Sequence, residues 1–210
     1  MARPRASAAT DSRQRLFSAA AAEFAARGYA GANVDRIARA ARLNKAMIYY
    51  HFRNKAELYR EILRDMFSAV RAGVIAVAAT TASPEDKIRG YVEAIAAAAE
   101  ARPHFPPIWF REIAEGGAHV DVVTLGYVHD VMTTLGAILE EGRRAGRFQP
   151  VTPILLQGAI IAPLLFFFAT APLRRKIERA GVAGISAVSR DMVVAHIQQL
   201  TLAQLEGKIV

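Results

Sequence analysis

Apolar residues recur at helical spacing along nearly the whole of this 210-residue chain. Between residues 34 and 41 they occupy positions i, i+3, i+4 and i+7, which form one face of an α-helix. Residues 88–99 repeat this spacing over three turns. No convincing run of residues alternates between apolar and polar side chains as a half-buried β-strand does. The pattern therefore predicts an all-α fold.

Capping residues and helix breakers divide this pattern into about nine helices. Asn33, Asn44 and Asn54 can each accept a hydrogen bond from the free amides of a first helical turn. Gly28 and Pro103 mark helix ends. We predict helices over residues 12–27, 34–41, 45–51, 55–80, 84–101, 105–115, 119–145, 153–171 and 189–206.

Positive charge is concentrated in the first third of the chain. Residues 1–64 contain 13 Lys and Arg against 5 Asp and Glu, a net charge of +8, whereas residues 65–210 contain 14 of each kind. Such asymmetry indicates that the first part binds a polyanion, either nucleic acid or an anionic membrane, while the remainder has an electrically neutral role. The alternative is a basic surface that is only solvated.

The chain contains no cysteine, which excludes disulfide bonds, thiolate metal sites and a cysteine nucleophile. Its first fifteen residues are basic and lack the apolar stretch of a secretory signal, so we interpret residues 1–11 as a flexible basic tail. We expect the protein to be cytoplasmic.

The most specific pattern lies between residues 34 and 52. A short amphipathic helix, VDRIARAA, is followed by the turn RLN and by a second short helix, KAMIYYHF. This is the layout of a helix-turn-helix, in which the second helix enters the major groove of DNA.

One face of this second helix is predicted to point outward. If Ile48 and Phe52 face the core, a rotation of 100° per residue directs Ala46 and Tyr50 to the opposite side. A small residue such as Ala46 lets the helix backbone approach a groove. The alternative is an amphipathic helix whose surface aromatic residues are incidental.

The side chains on this face suit a DNA groove. Tyr50 and Met47 can contact base edges and thymine methyl groups. Phosphate contacts are expected from the edges of the face, from the start of the next helix and from the tail, namely Lys45, Tyr49, His51, Lys55, Arg3 and Arg5.

Residues 154–173 are almost uniformly apolar, with Gln157 and Thr170 as the only polar residues, and are long enough to cross a bilayer. Pro163 in the middle of the segment and positive charge on both sides argue against a membrane span. A helix that is apolar all round is also expected when it is buried or lies in a subunit interface, which is the interpretation we favour.

No pattern of catalytic residues is present. Glu115 and His119 have i, i+4 spacing and could bind a metal if one helix carried both, but Gly116 and Gly117 are expected to break that helix. The chain contains no HExxH, GxSxG, P-loop or Rossmann motif. We therefore predict no catalytic residue, no metal site and no cofactor, and we predict that the protein is not an enzyme.

Residues 15–63 resemble the amino-terminal DNA-binding domain of the TetR family of transcriptional regulators. The resemblance rests on AAAAEFAARGYAG, VDRIARAARLNKAMIYYHF and NKAEL. It implies DNA contacts from Asn33, Asn44, Lys45, Ala46, Met47, Tyr49, Tyr50, His51 and Lys55. The family usually has glycine where Arg42 stands, and a left-handed backbone there would cost a non-glycine residue about 1 kcal/mol.

The resemblance also implies a DNA-binding domain over residues 12–64 and a helical ligand-binding and dimerisation domain over residues 65–210. Helices 153–171 and 189–206 would form a four-helix dimer interface, for which the candidate residues are Leu165, Phe167, Ile197 and Leu200. The helices before them would line a ligand cavity, for which the candidate residues are Phe105, Trp109, Phe110, Tyr127 and Met132.

These inferences predict a ligand-responsive regulator that binds double-stranded DNA as a homodimer. The resemblance implies a repressor on an inverted-repeat operator, which a small molecule releases. The neutral, apolar body favours a hydrophobic or amphipathic effector. The alternative is a small-molecule-binding helical protein held at a membrane through residues 154–173; our preferred interpretation involves no membrane.

Overall fold

The computed structural model describes residues 4–185 and 187–208, with side chains from residue 10 onward. The described residues form ten α-helices and no β-strand. The helices are α1 (Pro4–Gly31), α2 (Val34–Ala40), α3 (Ala46–Phe52), α4 (Lys55–Ala78), α5 (Pro84–Ala101), α6 (Phe105–Ala114), α7 (Val122–Arg144), α8 (Pro153–Ala169), α9 (Ala171–Arg179) and α10 (Arg190–Leu205). The predicted all-α fold is confirmed.

The chain divides into two compact units. Unit 1 comprises Met1–Asp65 and Pro107–Thr124, and unit 2 comprises Met66–Pro106 and Leu125–Val210. The sequence predicts a single boundary after residue 64, whereas unit 1 also contains a second, later segment of the chain. This difference arises because Glu112 and Asp121 of that segment bind side chains of α4.

The core of unit 1 is built from the apolar faces of α1 to α4. Phe24 of α1, Ile37 of α2 and Ile48 of α3 are fully buried, as their helical spacing predicts. Tyr59 of α4 packs edge-on against Phe24, with their ring centroids 4.7 Å apart. Arg64 of α4 adds ion pairs to Glu57 and Asp121.

Unit 2 is centred on α5, α8 and α10, which contact one another in all three pairings. Ile88, Val92 and Ile95 of α5 are buried there. Polar groups are also buried in this unit, and the Tyr91 hydroxyl donates a 2.7 Å hydrogen bond to Oε1 of Gln157 in α8. This bond compensates both groups for their loss of water.

Most helix ends differ from the prediction by three residues or fewer, and the two larger differences concern α1 and the segment after α8. Helix α1 begins at Pro4 rather than at residue 12, because no helix breaker occurs before Gly28; residues 1–3 of the predicted tail, including Arg3, and the side chain of Arg5 lie outside the described residues. The chain also bends by 52° between α8 and α9. Thr170 caps the end of α8, and Pro172 lies in the first turn of α9, so a tenth helix follows where none is predicted.

Candidate nucleic-acid interface

Two asparagines fix the starts of α2 and α3. The Oδ1 atom of Asn33 accepts a 2.7 Å hydrogen bond from the Asp35 amide and caps α2. The Oδ1 atom of Asn44 accepts a 2.9 Å hydrogen bond from the Ala46 amide, at the first residue of α3. Both side chains predicted to contact DNA therefore bind backbone here, and they set the positions of the two short helices.

The turn between α2 and α3 is left-handed at Arg42, whose φ is 53°. This is the conformation that glycine adopts most easily. The Arg15 guanidinium of α1 donates hydrogen bonds to the carbonyl oxygens of Ala41 and Arg42 and so holds the turn in place. Arg53, which caps the end of α3, also has a left-handed backbone conformation, with a φ of 64°. Exposed arginines therefore flank α3 at both ends, and neither is among the site residues predicted from the sequence.

Helix α3 presents the predicted face to solvent. Ile48 and Phe52 are buried, whereas Tyr50 is 74% exposed and Tyr49 is 48% exposed. Ala46 is also exposed and Met47 is half-buried. The outer face therefore combines a small residue, a thioether and two phenol groups, which are kinds of side chain that suit contact with base edges.

The lysines at the edges of this face have protein partners in the DNA-free structure. Lys45 Nζ lies 3.0 Å from Asp35 Oδ2, and this hydrogen bond raises the pKa of Lys45. Lys55 Nζ donates a 2.9 Å hydrogen bond to the carbonyl oxygen of Ala32 and lies 4.5 Å from the centroid of the Tyr29 ring. A phosphate contact by either ammonium would have to add to these interactions or replace them.

His51 is held by α1. Its Nε2 atom lies 2.8 Å from Ser12 Oγ. Burial lowers the pKa of His51, and the positive charge of Arg13 lowers it further. The neutral imidazole is therefore favoured in the DNA-free protein.

The predicted ligand-binding residues are divided between the units. Trp109 and Phe110 belong to unit 1, whereas Phe105, Tyr127 and Met132 belong to unit 2. Phe105 is buried against Phe67, with a centroid distance of 5.6 Å. The other four are half-buried or exposed.

The predicted dimer residues differ in their surroundings. Leu165 and Ile197 are buried in unit 2, so they belong to its core, and this corrects their assignment to a subunit interface. Phe167 is half-buried beneath the Arg174 guanidinium, which lies 4.0 Å from its ring centroid. Leu200 is 48% exposed and remains available to a partner.

The exposed side of α8 carries a continuous apolar stripe that was not predicted from the sequence. Ile154, Leu155 and Phe166 are 62%, 70% and 63% exposed. Small residues and a proline complete the stripe: Gly158, Ala159, Ala162 and Pro163. Because α8 is apolar all round, its periodicity cannot show which side faces the core.

Among the described residues, two stretches are long and apolar enough for a membrane span by composition. One is α7, and the other is α8 with α9, which satisfies the criterion only as a pair bent by 52°. Helix α8 alone has 17 residues, fewer than the roughly 20 that a bilayer requires.

The amino-terminal part of the chain is similar to known transcriptional regulators. Residues 16–62 match the family described as bacterial regulatory proteins, tetR family. The chain is 36% identical over 103 residues to the transcriptional repressor SCO4008 of Streptomyces coelicolor, and the match covers 49% of this chain and 50% of that protein. It is 26% identical over 166 residues to the repressor NicS of Pseudomonas putida, covering 78% of each.

A solved structure shares the fold. The TetR family regulator PfmR of Thermus thermophilus matches with a TM-score of 0.70 and 23% identity, over 92% of this chain and 97% of that one. The family match covers α2, α3 and the capped turns around them, the same residues that form the exposed face. Residues 16–62 therefore belong to the tetR family of bacterial regulatory proteins, and the described chain shares the fold of a solved regulator of that family.

Proposed function

We propose that the protein is a repressor that binds an inverted-repeat operator as a homodimer and dissociates when a hydrophobic or amphipathic small molecule binds. The observation that carries the proposal is the outer face of α3. Tyr50 on this face is 74% exposed, and the exposed residues Arg42 and Arg53 flank the helix at its two ends. We assign base contacts to Met47 and Tyr50, and close approach of the backbone to Ala46. Family resemblance and the repressor relatives support this direction of regulation.

Phosphate contacts are assigned to the residues around this face. They are Asn33, Asn44, Lys45, Tyr49, His51 and Lys55. Because Lys45 already pairs with Asp35 and Lys55 already donates to the carbonyl oxygen of Ala32, DNA binding exchanges or extends these two local interactions. The net gain then comes largely from counterions released by the DNA, so affinity depends steeply on salt.

The exposed stripe on α8 is the proposed dimer interface, together with exposed residues of α10. Met192 and Leu200 of α10 are 59% and 48% exposed. Two α8 helices and two α10 helices would form a symmetric interface in which each chain contributes the same surface. Two identical reading helices then require an inverted-repeat operator with half-sites about one helical turn apart, or a multiple of it.

The effector class follows from the body of the protein. Residues 65–210 carry no net charge, and the candidate ligand residues are apolar or aromatic. The ligand must favour a dimer conformation whose reading helices no longer match the operator, since equal affinity for both conformations would shift nothing. Operator and ligand then weaken each other's binding by the same factor.

Selection of bound duplexes from a random library tests the DNA-binding part directly. We expect enrichment of an inverted repeat, and a log-log slope of affinity against salt of about 0.9 per phosphate neutralised. Enrichment of a single half-site would contradict the dimer. Absence of any enriched sequence would contradict the reading role of α3.

A screen of fatty acids, aromatic antibiotics, dyes and lactones by thermal shift, followed by titration of hits against the operator complex, tests the effector. We expect a hit to raise the melting temperature and to release DNA. Hits that stabilise the protein while DNA affinity stays unchanged would contradict induction. Partition of the chain into lipid vesicles would favour the membrane alternative, for which the exposed stripe of α8 is the supporting feature.

A further inference from the structure

The turn after α6 brings together residues that lie on either side of a helix break in the sequence. Gly116 and Gly117 have φ values of 69° and 74°, and this backbone conformation is unfavourable for residues other than glycine. The Gly117 amide donates a 2.7 Å hydrogen bond to the carbonyl oxygen of Glu112 and closes the turn. The glycines do end the helix, as predicted, but they also reverse the chain and place His119 against Glu112.

Three side chains converge on one point at this turn. The Nδ1 atom of His119 lies 2.9 Å from Glu112 Oε1 and 3.9 Å from Glu115 Oε2. One ligand atom from each of the three residues falls within 4.8 Å of the others. In a tetrahedral zinc site with bonds of roughly 2.0–2.1 Å, ligand atoms lie about 3.3 Å apart, so His119 Nδ1 and Glu112 Oε1 would have to separate slightly and the exposed Glu115 carboxylate would have to move closer.

The cluster is closed on one side and open on the other. The Glu112 side chain is fully buried, the His119 side chain is 21% exposed and the Glu115 side chain is 44% exposed. An ion can therefore enter past Glu115, and water can complete its coordination from the same side. Glu112 would supply the inner ligand.

Neighbouring groups hold the inner carboxylate in a fixed orientation. The Tyr59 hydroxyl donates a 2.8 Å hydrogen bond to Glu112 Oε1, and the His119 amide donates a 3.2 Å hydrogen bond to Oε2. The His119 ring packs against Tyr29 at a centroid distance of 4.0 Å. Such outer contacts orient metal ligands and strengthen binding.

We propose that Glu112, Glu115 and His119 form a binding site for a divalent transition-metal ion, with Zn²⁺ as the reference ion. One imidazole nitrogen and two carboxylate oxygens, with water in the remaining position, make a ligand set that zinc accepts. The nitrogen ligand disfavours Mg²⁺ and Ca²⁺, which prefer sites made wholly of oxygen. On binding, the ion takes the place next to Nδ1 that a proton occupies in a His119–Glu112 ion pair.

The competing explanation is a buried ion pair between His119 and Glu112 with no ion. The two explanations differ at Glu115, whose carboxylate lies 3.9 Å from Nδ1 and on the exposed side. An ion pair does not require Glu115, whereas a metal site uses it as a ligand.

Calorimetric titration of the full-length, tag-free, chelator-treated protein with Zn²⁺ alone tests the proposal, and it does not depend on DNA binding. We expect one saturable ion per chain. Glu115→Gln should weaken binding at least tenfold and His119→Gln should weaken it further. His129→Gln, which removes an exposed histidine of α7, is the matched control and should bind like the wild type.

Titration with Co²⁺ gives a second readout, because its visible spectrum reports the ligands. The wild-type spectrum should change on binding, and Glu115→Gln should alter that change. If His119→Gln does not fold, Glu115→Gln decides the question, since an exposed residue at a turn leaves the core intact. Absence of saturable binding, equal affinity in wild type and Glu115→Gln, or an equal loss in His129→Gln would overturn the proposal.

Discussion

At the scale of single residues, the interface separates into groups that read sequence and groups that bind the phosphate backbone. Tyr50 is 74% exposed, compared with 48% for Tyr49. Among the described residues, no hydrogen bond holds its phenol against the protein. Lys45 already pairs with Asp35. The two residues should therefore respond differently to the sequence of a bound duplex.

The change Tyr50→Ala is expected to weaken binding to the selected operator by about 1–3 kcal/mol and binding to a random duplex much less. Lys45→Ala, the matched control, should weaken both duplexes alike and reduce the salt slope by about 1. Fluorescence anisotropy on both duplexes measures this. Equal losses on the two duplexes for Tyr50→Ala would show that this side chain does not read sequence.

His51 should give DNA binding a defined pH dependence. Its pKa in the free protein lies below the ordinary value of 6.5, and a nearby phosphate would raise it. Binding then takes up a proton, so affinity should rise as the pH falls through the pKa of the bound state. Stability of the free protein should move the other way and decrease below about pH 6.5, because the unfolded chain binds the proton more tightly.

The measurement is operator affinity between pH 8 and pH 5.5 at constant ionic strength. His51→Gln keeps a polar group of similar length and should remove the His51 contribution to the slope. A wild-type affinity that is flat over this range would contradict a phosphate contact by His51.

The left-handed turn can be tested by a pair of glycine substitutions. Arg42→Gly relieves a φ of 53° and is expected to stabilise the protein, by no more than about 1 kcal/mol, because glycine also gains entropy in the unfolded chain. Arg39→Gly, in the helical part of α2, should destabilise by about 1 kcal/mol. Urea unfolding distinguishes the two. Destabilisation by Arg42→Gly would mean that its side chain contributes more than the backbone strain costs.

At the scale of helices, the periodicity of the chain predicts which segments are helical but not always which side is buried. The faces of α2 and α3 could be assigned because polar residues mark their outer sides. Helix α8 has no polar side of that kind, so its periodicity does not predict that Leu165 lies in the core of unit 2. The His119–Glu112 contact was also not predicted, since it depends on the backbone direction after Gly117 and not on spacing along a helix.

The exposed stripe of α8 yields the corresponding prediction. Phe166→Glu places a charge on the exposed side and should give a folded monomer that binds the operator poorly. Leu165→Glu, one residue earlier, should instead disrupt the core of unit 2. Sedimentation equilibrium reports the oligomeric state, and circular dichroism reports the fold. A Phe166→Glu variant that stays dimeric would move the interface elsewhere.

At the scale of the whole molecule, the chain passes from one unit to the other within helices and not through a linker. The chain passes between them at residues 65–66, 106–107 and 124–125, and these points lie inside α4, α6 and α7. Tyr59 and Arg64, both in the first segment of unit 1, have partners in Pro107–Thr124. A fragment ending at residue 65 would lose both partners, and we expect it to melt well below the full chain in a thermal scan.

This connectivity also limits how such a regulator can diversify. A gene fusion that joined a foreign sensor at residue 65 would cut α4 in its middle and leave Tyr59 and Arg64 without Glu112 and Asp121. Functional chimeras should therefore inherit residues 107–124 from the same parent as the reading helix. Recombination among relatives of this protein is thus expected to preserve two separate stretches of sequence together, although one lies more than forty residues after the other.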